Sequence, residues 1–236
     1  MHGAMRIVIA EDQGMLREVI VKICREAGHE VAGECGGGRE TVAACLATRP
    51  ELLILDLRLS DDFHGGAVLE ALEAERALPK VLVLSAYLGD YLIHRIRHLP
   101  VPCGFVDKTT ALLTSVGEAI AALEAGRMAF SAAFLRAYAA FRENGRSFDR
   151  LLTPHEELFL RYAVQEYSDS EIAVRLRISV RTAEGRRSAL LHKLGLESSQ
   201  KLVSFARAQG FHLFPPLPAP KWPGLTAAPT CEFPVA

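Results

Sequence analysis

The stretch LLILDLRLSDD, residues 52–62, decides the fold class that we predict for this chain. Its first four residues are apolar, and Asp56 follows them directly. Strands of a parallel sheet are buried on both faces, so they form near-continuous apolar runs of this kind. The carboxylate at the end of such a strand either begins a solvated loop or is presented for chemistry. The residues at the ends of the other predicted strands discriminate between these two interpretations.

The first half of the chain alternates short apolar runs with amphipathic segments. The pattern predicts strands at 6–10, 30–33, 52–57, 81–84 and 104–106, and helices at 15–27, 39–48, 66–77, 90–99 and 112–125. Five such alternations are typical of an α/β fold with a doubly wound five-stranded parallel sheet. The glycine-rich segment GECGGGRE at 33–40 lacks the GxGxxG spacing and is interpreted as a loop.

The second half of the chain is predicted to form a separate, all-α domain. Thr153 with Glu156, and Ser168 with Glu171, have the spacing of capping boxes at helix starts. We expect the first domain at residues 1–125, a helical linker at 126–151, the helical domain at 152–210 and a proline-rich tail at 211–236. Seven of the twelve prolines lie in this tail, which we expect to be extended and anchored, if at all, by Trp222 and phenylalanines.

Composition and charge narrow the class of protein. No apolar run approaches the roughly 20 residues that a membrane span needs, and the first residues do not resemble a signal peptide, so we expect a cytoplasmic protein with no membrane contact. The five cysteines form no CxxC pair and are expected to be buried thiols. Residues 1–125 carry a net charge of −6 and residues 152–210 of +2, which favours a signalling module joined to a polyanion binder.

Polar side chains follow four of the five predicted strands. Glu11 and Asp12 follow the first strand, Asp56 the third, Ser85 the fourth and Lys108 the fifth. The carboxyl ends of parallel strands meet at one edge of a doubly wound sheet, so these five side chains should converge there. Clustered carboxylates are suitable ligands for Mg²⁺, and a hydroxyl with an ammonium group suits a phosphoryl group.

Residues 5–125 resemble the receiver domain of bacterial response regulators, through these five residues and their order. The resemblance implies that Asp56 accepts a phosphoryl group and that Glu11, Asp12, Asp56 and the backbone carbonyl of Arg58 bind Mg²⁺. It also implies that Phe105 is a switch residue that turns inward when Ser85 engages the phosphoryl group, with Lys108 as its counter-charge. The segment 57–65 departs from the family because it is one residue longer and lacks the usual proline.

The segment SDSEIAVRLRISVRTAEGRRSALLHKLG at 168–195 predicts two helices joined by a tight turn. Each has one apolar face, while Arg181, Glu184, Gly185 and Ser188 share the opposite face of the second helix. This arrangement is typical of a helix-turn-helix whose second helix enters the major groove. We expect base contacts from Arg181 and Glu184. The other expected DNA contacts are Thr182, Gly185, Arg186, Arg187, Ser188 and Lys193.

Residues 152–210 closely resemble the LuxR-type DNA-binding domain. The matching features include Leu152-Thr153-Pro154, Glu171-Ile172-Ala173 and Lys193-Leu194-Gly195. A receiver followed by a linker and a LuxR-type domain is the order of the NarL/FixJ class of response regulators.

The resemblances together imply a transcription factor that is controlled by phosphorylation and is not an enzyme. The expected partners are a sensor histidine kinase, double-stranded DNA and a second copy of the chain after phosphorylation. Three alternatives remain open: a DNA-binding regulator that is independent of phosphorylation, a receiver adaptor that acts through protein contacts, and a small α/β phosphatase.

Overall fold

The computed structural model describes residues 3–109, 112–143 and 151–217 of the 236-residue chain. Among these residues, every helix is too short or too polar to span a lipid bilayer.

A parallel sheet forms the centre of the first domain, with strand order β2-β1-β3-β4-β5-β6. The strands are β1 (Arg6–Ala10), β2 (Glu30–Cys35), β3 (Leu52–Asp56), β4 (Lys80–Ser85), β5 (Cys103–Asp107) and β6 (Ala129–Phe130). The helices between them are α1 (Gly14–Glu26), α2 (Gly38–Thr48), α3 (Gly65–Ala74), α4 (Asp90–Arg97) and α5 (Leu112–Glu124). The doubly wound α/β prediction is therefore confirmed.

The sheet has six strands where the sequence predicted five. The additional strand, β6, lies in the segment that was expected to be a helical linker, and it pairs in parallel with β5 through Gly104 and Phe105. A Cβ atom on Gly104 would lie 2.7 Å from the carbonyl oxygen of Ala129, so only glycine permits this approach. Helix α6 (Ala132–Glu143) follows in the same segment, and residues 144–150 lie outside the described part of the chain.

The two faces of the sheet pack against different layers. Helices α1 and α5 cover one face with residues such as Ile20, Cys24 and Ile120. Helices α2, α3 and α4 lie on the other face. Buried strands between two helical layers are what the near-continuous apolar runs predicted, and β3 and β5 are buried along their whole length.

The second domain contains four helices: α7 (Pro154–Ala163), α8 (Asp169–Leu176), α9 (Val180–Leu194) and α10 (Ser199–Gln209). Both predicted capping boxes are present, at Thr153 and Ser168, and Ser179 caps α9. Helices α9 and α10 end at Gly195 and Gly210, whose positive φ angles are accessible to glycine without strain. Helices α8 and α9 form the expected helix-turn-helix.

The hydrophobic core of the α2–α3–α4 face continues without a break into the helical domain. The same cluster of buried side chains includes Leu69 and Tyr91 of the first domain and Phe159 of α7. It also includes Phe211, Leu213 and Phe214, which follow α10 in a short 3-10 helix (Phe211–Leu213) and the residue after it. The start of the tail is therefore folded and buried. Phe211 and Phe214 anchor it, which was the alternative to a tail that is extended throughout. Trp222 lies outside the described residues.

Candidate functional site

The carboxylates that follow β1 and β3 meet at the carboxyl edge of the sheet. Strand order changes direction between β1 and β3, and ligand sites of doubly wound sheets form at this position. Glu11, Asp12 and Asp56 each place a carboxylate oxygen within 4.8 Å of the others. Glu11 and Asp56 are buried and Asp12 is exposed, so the cluster opens to solvent on one side.

Lys108 joins the cluster from the end of β5. Its ammonium group lies 2.6 Å from Glu11 Oε2 and 2.7 Å from Asp56 Oδ2. The backbone N–H of Arg58 donates to Asp56 Oδ1 at 3.0 Å, so the backbone after the strand turns back towards the carboxylate. Glu11, Asp12, Asp56 and Lys108, all expected at the site, therefore lie close together. The oxygens of the three carboxylates are a suitable set of ligands for Mg²⁺.

The carboxyl groups of the site are held in an unfavourable environment for charge. Burial raises the pKa of Asp56, and Lys108 offsets this effect only in part. Burial also raises the pKa of Glu11, with a further upward contribution from the neighbouring Asp56. A cation that binds between these carboxylates would offset both the free-energy cost of burying their charges and the repulsion between them.

Ser85 lies at the end of β4 and Phe105 lies in β5. In the part of the chain that the structure describes, the Ser85 hydroxyl is hydrogen-bonded to the Tyr87 backbone and not to the carboxylates. The Ser85 hydroxyl accepts from the backbone N–H of Tyr87 at 3.0 Å and lies 3.2 Å from the Tyr87 carbonyl oxygen. Phe105 is fully buried, with its ring centroid 5.1 Å from that of Phe134 in α6. Helix α6 thus covers the residue that the family resemblance identifies as a switch.

The lengthened segment 57–65 packs on the glycine-rich loop, a contact that sequence analysis missed. Asp61 accepts hydrogen bonds from the backbone N–H groups of Gly38 at 2.9 Å and Arg39 at 3.2 Å, so it caps the start of α2. A Cβ atom on Gly38 would lie 1.7 Å from the carbonyl oxygen of Phe63, which explains the need for glycine there. The run of three glycines was the available signal, since it permits close approach of another backbone.

The outer face of α9 is a candidate nucleic-acid interface. Arg181, Thr182, Glu184, Gly185 and Ser188 are exposed there. An exposed polar helix face is compatible with contacts in a DNA groove.

Two of the cations expected at DNA are engaged inside the domain instead. Arg187 forms an ion pair of 2.8 Å with Asp169 and lies over the ring of Phe159. Lys193 lies 2.7 Å from Glu156 of the first capping box. Both side chains therefore help to position α9 against α7 and α8, and Arg186 is half-buried.

Both halves of the chain match known protein families. Residues 7–100 match the response regulator receiver domain. Residues 150–206 match the bacterial regulatory proteins of the luxR family.

Related proteins match along nearly their whole length. The response regulator protein VraR of Staphylococcus aureus (strain NCTC 8325 / PS 47) is 25% identical over 203 residues, which cover 86% of this chain and 96% of VraR. The fold resembles RcsB of Salmonella enterica serovar Typhimurium bound to a promoter in the presence of a phosphomimetic, with a TM-score of 0.62, 22% identity and coverage of 86% and 98% of the two chains. A structure of two RcsB dimers bound to two parallel DNAs matches with a TM-score of 0.57, 22% identity and coverage of 87% and 99%.

Fold, site and matches together define a two-component response regulator with a receiver domain and a LuxR-type helix-turn-helix domain. The order of the two domains is the architecture of the NarL/FixJ class.

Proposed function

We propose that this protein is a transcription factor whose DNA binding is controlled by phosphorylation of Asp56. The observation that carries the proposal is the meeting of Glu11, Asp12, Asp56 and Lys108 at one sheet edge, in a chain that also exposes a helix-turn-helix. The phosphoryl donor is a sensor histidine kinase or a small phosphodonor such as acetyl phosphate.

The transfer uses Asp56 as the nucleophile. One of its carboxylate oxygens forms a bond to the donor phosphorus, while the bond from phosphorus to the imidazole nitrogen or the acetyl oxygen breaks. Lys108 is already 2.7 Å from the carboxylate and can move to an oxygen of the incoming phosphoryl group. Glu11, Asp12, Asp56 and the carbonyl of Arg58 would hold Mg²⁺, which would offset the charge of the phosphoryl oxygens.

The product stays attached to the chain, so the protein is the acceptor of its kinase and not an enzyme with turnover. Ser85 engages the phosphoryl group, and Phe105 changes its packing under α6. The modification adds roughly −1.5 to −2 charge units, enough to change the equilibrium between two packing arrangements.

DNA binding is assigned to α9 and requires a homodimer. Arg181 and Glu184 are the proposed base contacts, while Thr182, Gly185, Arg186 and Ser188 are placed near phosphates and groove walls. Arg187 and Lys193 remain candidates for phosphate contacts if they exchange their present carboxylate partners for DNA. RcsB is described as dimers on DNA, which supports the same assembly here. With DNA as its partner, the protein is proposed to act in the cytoplasm.

The test is intact-protein mass after incubation with acetyl phosphate and Mg²⁺, for the wild type and Asp56→Asn. We expect one phosphoryl adduct in the wild type, and none without the metal or in the variant. Binding to duplex DNA is then measured in both states over a range of salt concentrations, because phosphate contacts make affinity fall steeply with salt.

The alternatives give different results in the same assays. Salt-dependent DNA binding without any adduct would identify a regulator independent of phosphorylation. An adduct without DNA binding would identify an adaptor, and repeated release of inorganic phosphate from a donor would identify a phosphatase.

A further inference from the structure

The residues that follow the LuxR-type domain lie between the two domains. We call residues 211–217 the strap; the luxR family match ends at residue 206, before it begins. Phe211 and Phe214 are buried, and Phe211 stacks on Tyr91 of α4 with ring centroids 3.8 Å apart. Phe214 meets the same tyrosine edge-on at 5.4 Å and also lies beneath the Arg95 guanidinium.

The backbone of the strap is also hydrogen-bonded to the helical domain. Arg161 of α7 donates to the carbonyl oxygen of Phe214 at 2.7 Å and to that of Pro215 at 3.1 Å. The same guanidinium lies 2.6 Å from the buried carboxylate of Glu70 in α3. One side chain of the helical domain therefore holds the strap and the receiver domain together.

The strap and the end of α10 also fit against glycines of the receiver domain. A Cβ atom on Gly66, at the start of α3, would lie 2.3 Å from the carbonyl oxygen of Leu213 and 2.4 Å from the ring of Phe214. Gly89, just before α4, approaches the carbonyl oxygen of Gln209 so closely that a Cβ atom would lie 2.4 Å from it. A contact that excludes even a methyl group is a fitted surface and not a chance approach.

Tyr87 links this surface to the phosphorylation site. Its phenol donates to the carbonyl oxygens of Arg207 and Ala208 at the end of α10, and its ring lies edge-on to His212 at 5.5 Å. Its backbone is hydrogen-bonded to the hydroxyl of Ser85. The group proposed to engage the phosphoryl oxygens is thus tied, through one residue, to the end of the helix that leads into the strap.

We propose that the strap is an interdomain clasp, which holds the receiver and helix-turn-helix domains together until Asp56 is phosphorylated, with Tyr87 as the positioning residue that couples the two. This inference rests on the proposed function and adds the element that keeps the unphosphorylated protein closed.

The coupling follows from the single proton of the Ser85 hydroxyl, whose oxygen lies 3.2 Å from the Tyr87 carbonyl oxygen. When Ser85 donates this proton to a phosphoryl oxygen, it gives up its hydrogen bond to that carbonyl, and the Tyr87 phenol loses its position at the end of α10. The contacts of His212, Phe211 and Phe214 then weaken together. Because coupling between two binding equilibria is reciprocal, release of the strap must increase the affinity of the site for a phosphoryl mimic.

The buried ions at the interface are compatible with opening. Glu70, Arg161 and Arg95 form charge pairs that are shielded from water in the closed form. Charges that are desolvated in this way gain little net stability from pairing, since separation returns them to water. The charges therefore specify how the domains dock without making the contact permanent.

The discriminating variant is Gly66→Ala, which adds one methyl group where the strap lies and removes no receiver group. Gly117→Ala is the matched control, because its Cβ atom in α5 would meet only Ile23, at an ordinary 3.9 Å. Tyr87→Phe is the second variant; it keeps the ring and removes the phenol. Full-length proteins are compared by small-angle scattering and by calorimetric titration with beryllofluoride in the presence of Mg²⁺.

We expect Gly66→Ala and Tyr87→Phe to have a larger radius of gyration and roughly tenfold tighter beryllofluoride binding than the wild type, while Gly117→Ala matches the wild type. Restoring a hydrogen-bonding group with Tyr87→His should return part of the wild-type affinity, which a purely structural role would not do.

Equal radii for all the proteins would overturn the role of the strap as a clasp between the domains. A larger radius with unchanged beryllofluoride affinity would overturn the coupling through Tyr87. Absence of beryllofluoride binding in every protein, the wild type included, would instead count against the phosphorylation proposed at Asp56.

Discussion

Lys108 contacts two carboxylates at once, so its ammonium group offsets part of the negative charge of the site. Its distances to Glu11 and Asp56 are 2.6 Å and 2.7 Å. The convergence of these residues could be predicted from sequence, because parallel strands end at the same edge. The hydrogen bond between Ser85 and the Tyr87 backbone could not, since nothing in the spacing of residues determines which rotamer a hydroxyl adopts.

Gly185 in the middle of α9 gives a prediction at the same scale. Nothing lies within 4 Å of a Cβ atom built there, so Gly185→Ala should stabilise the domain by about 1 kcal/mol through helix propensity. If glycine allows the helix to approach DNA closely, the affinity for duplex DNA should fall in the same variant. Thermal unfolding and DNA titration of the one protein measure both effects, and a variant that gains stability and keeps its affinity would remove Gly185 from the interface.

At the scale of helices and strands, the sequence predicted features that depend on neighbouring residues, and it did not predict those that depend on distant residues. The capping boxes of α7 and α8 join residues three apart in sequence, and both were predicted. The cap of α2 comes from Asp61, 23 residues beyond Gly38, and no sequence pattern indicated it. Strand β6 was missed for a different reason: a strand of two residues has no detectable periodicity, and it lies in the segment that was expected to be a helical linker.

Asp61→Ala tests whether the lengthened loop supports α2. Loss of a side-chain cap costs about 0.5–2 kcal/mol, so the melting temperature should fall by about 2–4 °C for each kcal/mol. Asp62→Ala is the control, since its exposed ion pair with Arg39, at 3.3 Å, should contribute little. Equal melting temperatures for the two variants would show that the cap is dispensable.

At the scale of the whole molecule, the docking of the two domains was not foreseen. Glu70 lies within the apolar sequence AVLEAL, and an acid in such a helix was a usable signal of a buried partner. Burial alone would raise the pKa of Glu70, but Arg161 and Arg95 together lower it below its usual value. The partners of Glu70 could not be predicted, because the pairing with Arg161 depends on how the two domains are placed against each other. Hydrophobic patterning within each domain does not specify that placement.

His212 makes the docked arrangement sensitive to acid. Burial first, and then the nearby Arg207, His64 and Arg58, lower the pKa of its imidazole from 6.5 to about 4. Between these values the unfolded chain binds the proton and the folded chain does not, so this group makes the free energy of unfolding fall as pH decreases through that window and has no effect above it. After allowance for partial exposure, the loss should be about 1–2 kcal/mol.

Thermal unfolding across this window measures the effect. His212→Gln should flatten the decline of the melting temperature between pH 6.5 and 4, whereas His155→Gln, on the exposed side of α7, should follow the wild type. The same slope in all three proteins would contradict the assignment to His212.

The unbroken core beneath α3, α4 and α7 has a practical consequence for anyone who divides this protein. The two family matches suggest that the two halves of the chain can be expressed separately. The division would then fall between residues 143 and 151. Here such a cut would leave Tyr91 on one product, and Phe159, Phe211 and Phe214 on the other, without their apolar partners. Apolar patches of that kind promote self-association. The isolated halves should therefore be less soluble than the parent, and what is measured on either would describe a surface that the intact molecule keeps covered.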